Sequence, residues 1–145
     1  MREVLEGIRV VEVAQWWFVP AAGAVLADWG AEVLKVEHPE TGDPMRGLIS
    51  SGLIPGAGKV NFMVEQPNRG KRGIGIDLAK PDGLDLLYRL VETADVFLTS
   101  FLPAARRTDG PCRAGSAGRA DFAAGLCAGG GYGTGIPARR GRDRD

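Results

Sequence analysis

The chain has 145 residues, 44% of them hydrophobic and 25% charged, which is typical of one globular domain. Lys+Arg and Asp+Glu both number 18, a balance that argues against a nucleic-acid or anionic-membrane partner. No stretch approaches the roughly 20 apolar residues of a membrane span, the charged N-terminus lacks a signal-peptide core, and two cysteines indicate neither a metal site nor a disulfide framework. We therefore expect a cytoplasmic protein without a bound metal.

Strand and helix patterns alternate from the start of the chain. Residues 8–13 are short and β-branched, which favours a strand. A run of small residues, opened by a proline and closed by a glycine, predicts a helix over 20–29. Residues 32–37 predict a second strand, and residues 38–70, rich in Gly and Pro, predict a long connection.

The same alternation continues to about residue 100. Residues 72–77 predict a third strand, residues 81–94 a helix, and residues 96–99 a fourth strand. The predicted buried face of that helix repeats at i, i+3, i+4 and i+7 and consists of Leu84, Leu87, Tyr88 and Val91. This order of elements predicts an α/β fold with a Rossmann-like, doubly wound parallel sheet.

The composition changes after about residue 107. All four lysines lie before residue 101, and beyond it branched aliphatic residues nearly vanish in favour of Gly, Ala and Arg. Such a segment buries too little apolar surface to offset the entropy lost on ordering. We therefore expect residues 1–107 to be the N-terminal part of a larger domain and residues 108–145 to be a disordered, low-complexity tail. A shifted reading frame in a G+C-rich gene would explain the change, as would a natural flexible tail.

The first turn bears on dinucleotide binding, because ligands of parallel sheets bind beyond the carboxyl ends of the strands. Glu37 ends the second strand, where an NAD enzyme places the acid that binds its ribose. A pyrophosphate, however, needs glycines in the first turn, and this turn carries Trp16, Trp17 and Phe18. We therefore expect no NAD site. The three aromatic residues either cap the sheet or, partly exposed, stack on an adenine or line a channel for an acyl-thioester arm.

Four other features near strand ends have both a binding and a structural interpretation. His38 is the only histidine, and a lone histidine is more often structural than catalytic. Arg46 could contact a phosphate or pair with a carboxylate, and the three cations within residues 69–72 could hold phosphates or face solvent. The backbone N–H groups of residues 100–103 could meet a ligand or form a plain turn. The individual features are not decisive, but their order along the chain is informative.

Residues 5–12, 30–46, 68–78 and 94–103 resemble, in order and spacing, the start of class III CoA-transferases. The matching motifs include Gly42-Asp43-Pro44-x-Arg46 and Asn68-Arg69-Gly70-Lys71-Arg72-Gly73. The family comprises formyl-CoA transferases, carnitine and bile-acid CoA-transferases and the related α-methylacyl-CoA racemases. The resemblance covers about residues 3–107 and implies a Rossmann-like large domain that binds coenzyme A along its strand ends.

The resemblance also implies which residues contact CoA or acyl-CoA, in the turns that follow the four strands. By position these residues are Trp17, Phe18, His38, Ile76, Asp77, Leu78, Ala79, Ser100, Phe101 and Leu102. The chain departs from the family at several of them. The family often has glutamine or small residues at positions 17 and 18, arginine at 38 and asparagine at 100.

In family members an aspartate attacks the acyl-CoA and carries the acyl group as a mixed anhydride. By position this aspartate is expected beyond the C-terminus, so we assign no catalytic residue. The resemblance implies transfer of CoA between carboxylic acids, with an acyl-CoA and a carboxylic acid as small-molecule partners. The alternatives are the racemase or dehydratase branch of the superfamily and a non-catalytic CoA-binding remnant. Full-length members form interlocked homodimers, whereas we expect this chain to be an inactive fragment that does not.

Overall fold

The computed structural model describes residues 4–54 and 60–101. Its elements, in chain order, are β1 (Arg9–Val13), α1 (Phe18–Asp28), β2 (Glu32–Glu37), α2 (Met45–Ser50), α3 (Phe62–Asn68), β3 (Arg72–Gly75), α4 (Pro81–Glu92) and β4 (Val96–Thr99). The predictions for Leu102 and for the tail of residues 108–145 lie outside the described residues.

The described strands form one parallel sheet in the order β3-β2-β1-β4. Val10 of β1 lies beside Val33 on one side and Val96 on the other, and Leu34 lies beside Arg72. This is the strand order of the first half of a doubly wound sheet. The predicted α/β fold with a parallel sheet is therefore confirmed.

One face of the sheet is apolar and packs against α4. Its buried cluster contains side chains from β1, β2, β4 and α4 and from the residues just beyond β3 and α4, namely Val11, Val13, Val36, Ile76, Leu87, Ala94 and Phe97. Leu87 is 1% exposed, and the other three residues of the predicted helix face, Leu84, Tyr88 and Val91, are half-buried. Leu87 and Val91 of the predicted face pack on this cluster, together with Leu90, which was not among the predicted residues.

The opposite face packs against α1 and α3 and combines apolar with charged side chains. Val10 and Val33 pack with Leu26 and Ala27 of α1. Because successive strand residues point to opposite faces, Glu12 lies on the same face as Val10, and Lys35 lies on the same face as Val33. Both charged residues are almost completely buried, which is rare unless such groups are paired.

The connection between β2 and β3 differs from the expected irregular segment, because it contains α2 and α3. Both are short, α3 includes Pro67, and α2 includes Gly47, so the local sequence favours neither helix strongly. Tertiary packing stabilises α3, which lies against α1.

Two element boundaries also differ from the expectation. Helix α1 begins two residues before Pro20. A proline is tolerated at this position because the N–H groups of the first helical turn form no intrahelical hydrogen bonds. Strand β3 ends at Gly75, so Ile76 and Asp77 lie just beyond the strand, at the carboxyl edge of the sheet.

Candidate ligand-binding site

A cavity of about 170 Å³ opens at the carboxyl edge of the sheet. It lies between the residues that follow β1, β2 and β3 and the residue Phe101 beyond β4. Six of the ten expected CoA contacts line it: His38, Ile76, Asp77, Leu78, Ala79 and Phe101. The fold thus brings together residues as far apart in the sequence as His38 and Phe101.

The other four expected contacts have different positions. Trp17 precedes α1 and is half-buried, while Phe18 is 87% exposed, and neither is among the described residues that line the cavity. Ser100 lies next to the cavity wall, where its hydroxyl accepts the backbone N–H of Gln15 at 3.0 Å. Leu102 lies outside the described residues. The CoA-contact roles of all ten residues stay predictions.

The inner wall of the cavity is apolar. Val13, Val36 and Ile76 contribute to it and are between 2% and 4% exposed. Phe101 is half-buried and packs against the same cluster. Such a wall suits the flat, apolar face of a ring, since ligand cavities are mostly apolar with a few polar groups that set orientation.

His38 and Asp77 face each other at the cavity. The imidazole Nδ1 accepts the backbone N–H groups of Glu40 and Thr41, at 3.2 and 3.3 Å. These bonds leave the ring proton on Nε2, which lies 3.7 Å from Asp77 Oδ1. The pair therefore presents one N–H donor and one carboxylate acceptor to a ligand.

The Asp77 carboxylate is held in its ionised form. It accepts the backbone N–H of Ala79 at 3.0 Å, and Lys80 Nζ lies 3.3 Å from its other oxygen. The Ala79 hydrogen bond lowers the pKa of Asp77 below its ordinary value, and Lys80 lowers it further. At neutral pH this side chain can accept hydrogen bonds but cannot donate them.

Glu37 and Arg46 form a bidentate ion pair at the cavity rim. Arg46 donates through Nε and Nη2 to the two carboxylate oxygens, at 2.9 and 3.0 Å. Burial raises the pKa of Glu37, but the Arg46 hydrogen bond and the charge of Lys35 outweigh burial and leave the pKa below its ordinary value. Of the two interpretations of Arg46, the structure supports the ion pair.

Two backbone N–H groups of the first turn donate to side chains of the protein itself. Trp16 N–H is bound by Asp43 Oδ1 at 3.2 Å, and Gln15 N–H is bound by Ser100 Oγ. Trp16 also has a φ of 69°, in the left-handed region that costs a non-glycine residue about 1–2 kcal/mol. Trp16 is 52% exposed and Phe18 is 87% exposed, whereas Trp17 is half-buried. Protein acceptors therefore bind two of the backbone donors of this turn, the N–H groups of Gln15 and Trp16.

Two buried ion pairs lie beneath α1 and α3. Lys71 Nζ donates to both oxygens of Glu12, at 2.9 and 2.7 Å, and to the carbonyl of Pro20 at 2.7 Å. Lys35 Nζ donates to Asp43 Oδ2 at 2.8 Å and to Asn68 Oδ1 at 2.9 Å. The four charged side chains are at most 3% exposed. We call Glu12, Lys35, Asp43 and Lys71 the buried charge network.

Burial dominates the acid–base behaviour of the Glu12–Lys71 pair. Desolvation raises the pKa of Glu12 despite the nearby Lys71 charge. Desolvation also lowers the pKa of Lys71 despite its hydrogen bonds to Glu12. Each group thus depends on the other to stay charged.

Sequence reasoning missed the buried charge network, although one signal was present. Glu12 and Lys35 each interrupt a β-branched strand of a sheet covered on both faces, where strands read as continuous apolar runs. Among the cations of residues 69–72, Arg69 and Arg72 are exposed, as one of the two expectations had it, whereas Lys71 fits neither. Lys71 is buried, while Arg69 pairs with Asp28 and Arg72 with Glu32.

Within residues 4–54 and 60–101, no group of three or more His, Cys, Asp or Glu residues is arranged to hold a metal ion. In the same ranges no helix has the length and apolar character that crossing a membrane requires. The cytoplasmic location and the absence of a metal stay predictions.

The chain matches known proteins over its first two thirds. It is 45% identical over 100 residues to the succinate–glutarate CoA-transferase of Agrobacterium fabrum, covering 67% of this chain and 25% of the relative. It is 36% identical over 97 residues to the (R)-2-hydroxy-4-methylpentanoate CoA-transferase of Clostridioides difficile, covering 67% of this chain and 24% of the relative. The chain therefore spans about a quarter of the length of these curated relatives.

Solved structures show the same similarity. A CAIB/BAIF family protein from Brucella suis superposes with a TM-score of 0.64 at 32% identity, covering 81% of this chain and 30% of that protein. The protein Rv3272 of Mycobacterium tuberculosis gives a TM-score of 0.61 at 35% identity, over 73% of this chain and 28% of that protein. The model of CoA-transferase family III matches residues 5–112, and the chain belongs to that family.

Proposed function

We propose that this chain forms the CoA-binding part of an enzyme that transfers CoA between carboxylic acids, and that its cavity accepts the adenosine end of CoA or acyl-CoA. The observation that carries the proposal is the convergence of six expected CoA contacts on one cavity at the carboxyl edge of the sheet. This edge is where ligands of open parallel sheets bind.

The chemistry of the lining supports the adenosine end rather than the phosphates. Val13, Val36 and Phe101 offer an apolar surface to a purine ring, and Asp77 offers an acceptor to an amine or a ribose hydroxyl. The described lining contains three carboxylates, those of Glu37, Asp43 and Asp77, and no lysine or arginine that could bind a phosphate group. We therefore expect the phosphates to lie outside the cavity, towards the exposed Lys80 at its rim.

CoA is the proposed ligand, and no particular carboxylic acid is assigned to the reaction. The names of the relatives share CoA transfer and differ in the acid, which is succinate or glutarate in one and a branched 2-hydroxy acid in another. We also propose that the described carboxylates of the cavity do not act as the nucleophile. Lys35 holds Asp43, Arg46 holds Glu37, and the Ala79 N–H and Lys80 hold Asp77, so none is available for attack on a thioester.

Calorimetric titration of the purified chain with CoA tests the proposal. Leu78→Ala removes an apolar side chain from the cavity lining, and we expect it to weaken CoA binding at least fivefold, since about 1 kcal/mol of apolar contact is lost. Leu86→Ala is the matched control, because Leu86 is exposed on α4 and does not line the cavity. Adenosine should compete with CoA, and pantetheine should not.

Two results would contradict the proposal. One is the absence of binding heat at millimolar CoA from protein that melts cooperatively. The other is an equal loss of affinity in the Leu78 and Leu86 variants, because the lining residue would then have no particular role. Exchange of label between CoA thioesters by the chain would contradict the claim that these carboxylates are not nucleophilic.

A further inference from the structure

The first turn, residues 14–17, is held by side chains from two distant segments. Ser100, beyond β4, accepts the N–H of Gln15 at 3.0 Å. Asp43, in the loop after β2, accepts the N–H of Trp16 at 3.2 Å. Ala14 and Gln15 form a wall of the cavity, so these two bonds set the position of that wall.

Trp16 needs such a bond more than its neighbours do. Its φ of 69° lies in the left-handed region, which residues other than glycine, asparagine and aspartate rarely adopt. Its side chain is 52% exposed and so contributes limited packing to hold this conformation. A strained residue persists only where the surrounding structure fixes it, and the bond to Asp43 is the contact that reaches its backbone N–H.

Asp43 is itself fixed from several directions. It is 1% exposed, and its Oδ2 accepts Lys35 Nζ at 2.8 Å. Its Oδ1 accepts Met45 N–H at 3.0 Å in addition to Trp16 N–H, and its own N–H donates to Glu37 at 3.1 Å. Gly42, with a φ of +63°, gives the turn that brings Asp43 inward. The carboxylate is therefore a rigid anion whose acceptor positions are directed by the protein.

We infer that Asp43 is a positioning residue for the cavity, which fixes the left-handed first turn through Trp16 N–H and withholds that N–H from a ligand phosphate. In nucleotide-binding sheets of this strand order, a phosphate of the ligand binds at the first turn. Here a carboxylate of the protein, paired with Lys35, binds a donor of that turn. The inference rests on the proposed function for the identity of the ligand, and on the hydrogen bonds alone for the role of Asp43.

Two paired variants separate this role from that of a buried ion pair. Lys35→Met with Asp43→Asn removes both charges but retains a side-chain oxygen that can accept Trp16 N–H. Lys35→Met with Asp43→Leu removes the same charges and the acceptor. Amide hydrogen exchange of Trp16, measured by NMR with Val11 in β1 as an internal reference, reports on the bond. Calorimetry with CoA reports on the cavity.

We expect Trp16 to exchange at least tenfold faster in the leucine variant than in the asparagine variant, with equal exchange at Val11. We also expect CoA to bind at least fivefold more weakly to the leucine variant. Equal exchange at Trp16 in the two variants would overturn the inference, as would faster exchange with unchanged CoA affinity. If the leucine variant does not melt cooperatively, Lys35→Met with Asp43→Ala takes its place.

The same experiment separates this inference from the proposed function. If the unmodified chain binds no CoA, the proposed function fails. Faster exchange of Trp16 in the leucine variant would then still support the role of Asp43 in fixing the turn, and equal exchange would still overturn it.

Discussion

The two faces of the sheet are built from different chemistry. The face against α4 is filled by aliphatic and aromatic side chains, with Leu87 and Phe97 at 1% and 2% exposure. The face against α1 and α3 contains the buried charge network beside an apolar cluster of Val10, Ala31 and Val33. One face of the sheet is thus stabilised by apolar packing, and the other also by ion pairs, which require particular atomic positions.

The two faces therefore have different roles: the apolar face mainly stabilises the fold, and the charged face positions the segments around the cavity. Apolar packing depends on area and volume and leaves loop positions loosely determined. Ion pairs and hydrogen bonds depend on the positions of individual atoms. Those of Lys35 connect β2 to the following loop and to α3, and those of Lys71 connect β1 and α1 to the segment after α3. We therefore expect substitutions on the two faces to differ in how they can be compensated.

The largest expected effect is from removing one member of a buried pair. Lys71→Met leaves the fully buried Glu12 without its main partner, and we expect a loss of about 4 kcal/mol in the free energy of unfolding. Adding Glu12→Leu should recover most of that loss, because no uncompensated charge is left. Urea denaturation measures both variants, with Leu87→Ala as the reference for the apolar face at about 3 kcal/mol. A double variant no more stable than Lys71→Met would contradict the ion-pair account.

A smaller effect is expected from crowding the same pair. A Cβ added at Gly23 in α1 would overlap Oε2 of Glu12, so Gly23→Ala must displace Glu12 or the helix, at about 2 kcal/mol. Gly47→Ala in α2 is the matched control, since its Cβ meets nothing within 4 Å. Thermal melts should show a lower midpoint for the first variant and an unchanged or higher one for the second. Equal shifts would mean that α1 does not pack tightly on Glu12.

The smallest effect concerns the half-buried pair of Glu37 and Arg46, and it depends on pH. Because the folded pKa of Glu37 lies below its ordinary value of 4.5, its contribution is complete above that pH and is lost as pH falls through the folded pKa. Glu37→Gln should therefore destabilise the chain by less than about 1 kcal/mol at pH 7, and the difference should shrink below pH 4.5.

Urea denaturation of Glu37→Gln at a series of pH values measures this dependence. Glu40→Gln is the control, on an exposed carboxylate of the same loop, and should have little effect at pH 7. A difference between Glu37→Gln and the unmodified chain that grows as the pH falls would be the wrong sign for a lowered pKa.

Much of the fold follows from local sequence patterns. The β-branched runs of β1, β2 and β4 and the amphipathic pattern of α4 predicted elements that the structure contains, because each pattern matches the period of its element. Helices α2 and α3 were not predicted, since Gly47 and Pro67 weaken their local preference and packing against α1 decides the outcome for α3.

The location of the candidate site could be predicted from the sequence, but the hydrogen bonds that shape it could not. Parallel strands bring their carboxyl ends to one edge, so the positions of His38, Ile76, Asp77 and Leu78 near a common cavity could be expected. The absence of a pyrophosphate site, inferred from the aromatic residues of the first turn, stays a prediction. The sequence did not indicate that Asp43 and Ser100 bind the N–H groups of Trp16 and Gln15, because both acceptors lie far from the turn along the chain.

The sequence by itself determined the alternation of elements, the parallel sheet and the edge at which a ligand is expected to bind. These features depend on the spacing of apolar residues along each element and on the direction of the strands. Only the tertiary structure decided which charges are buried. Lys71 belongs to a run of cations and Asp43 to a turn motif, and both could face solvent in a local reading. Each lies in the interior because a distant residue of opposite charge, Glu12 or Lys35, compensates its desolvation.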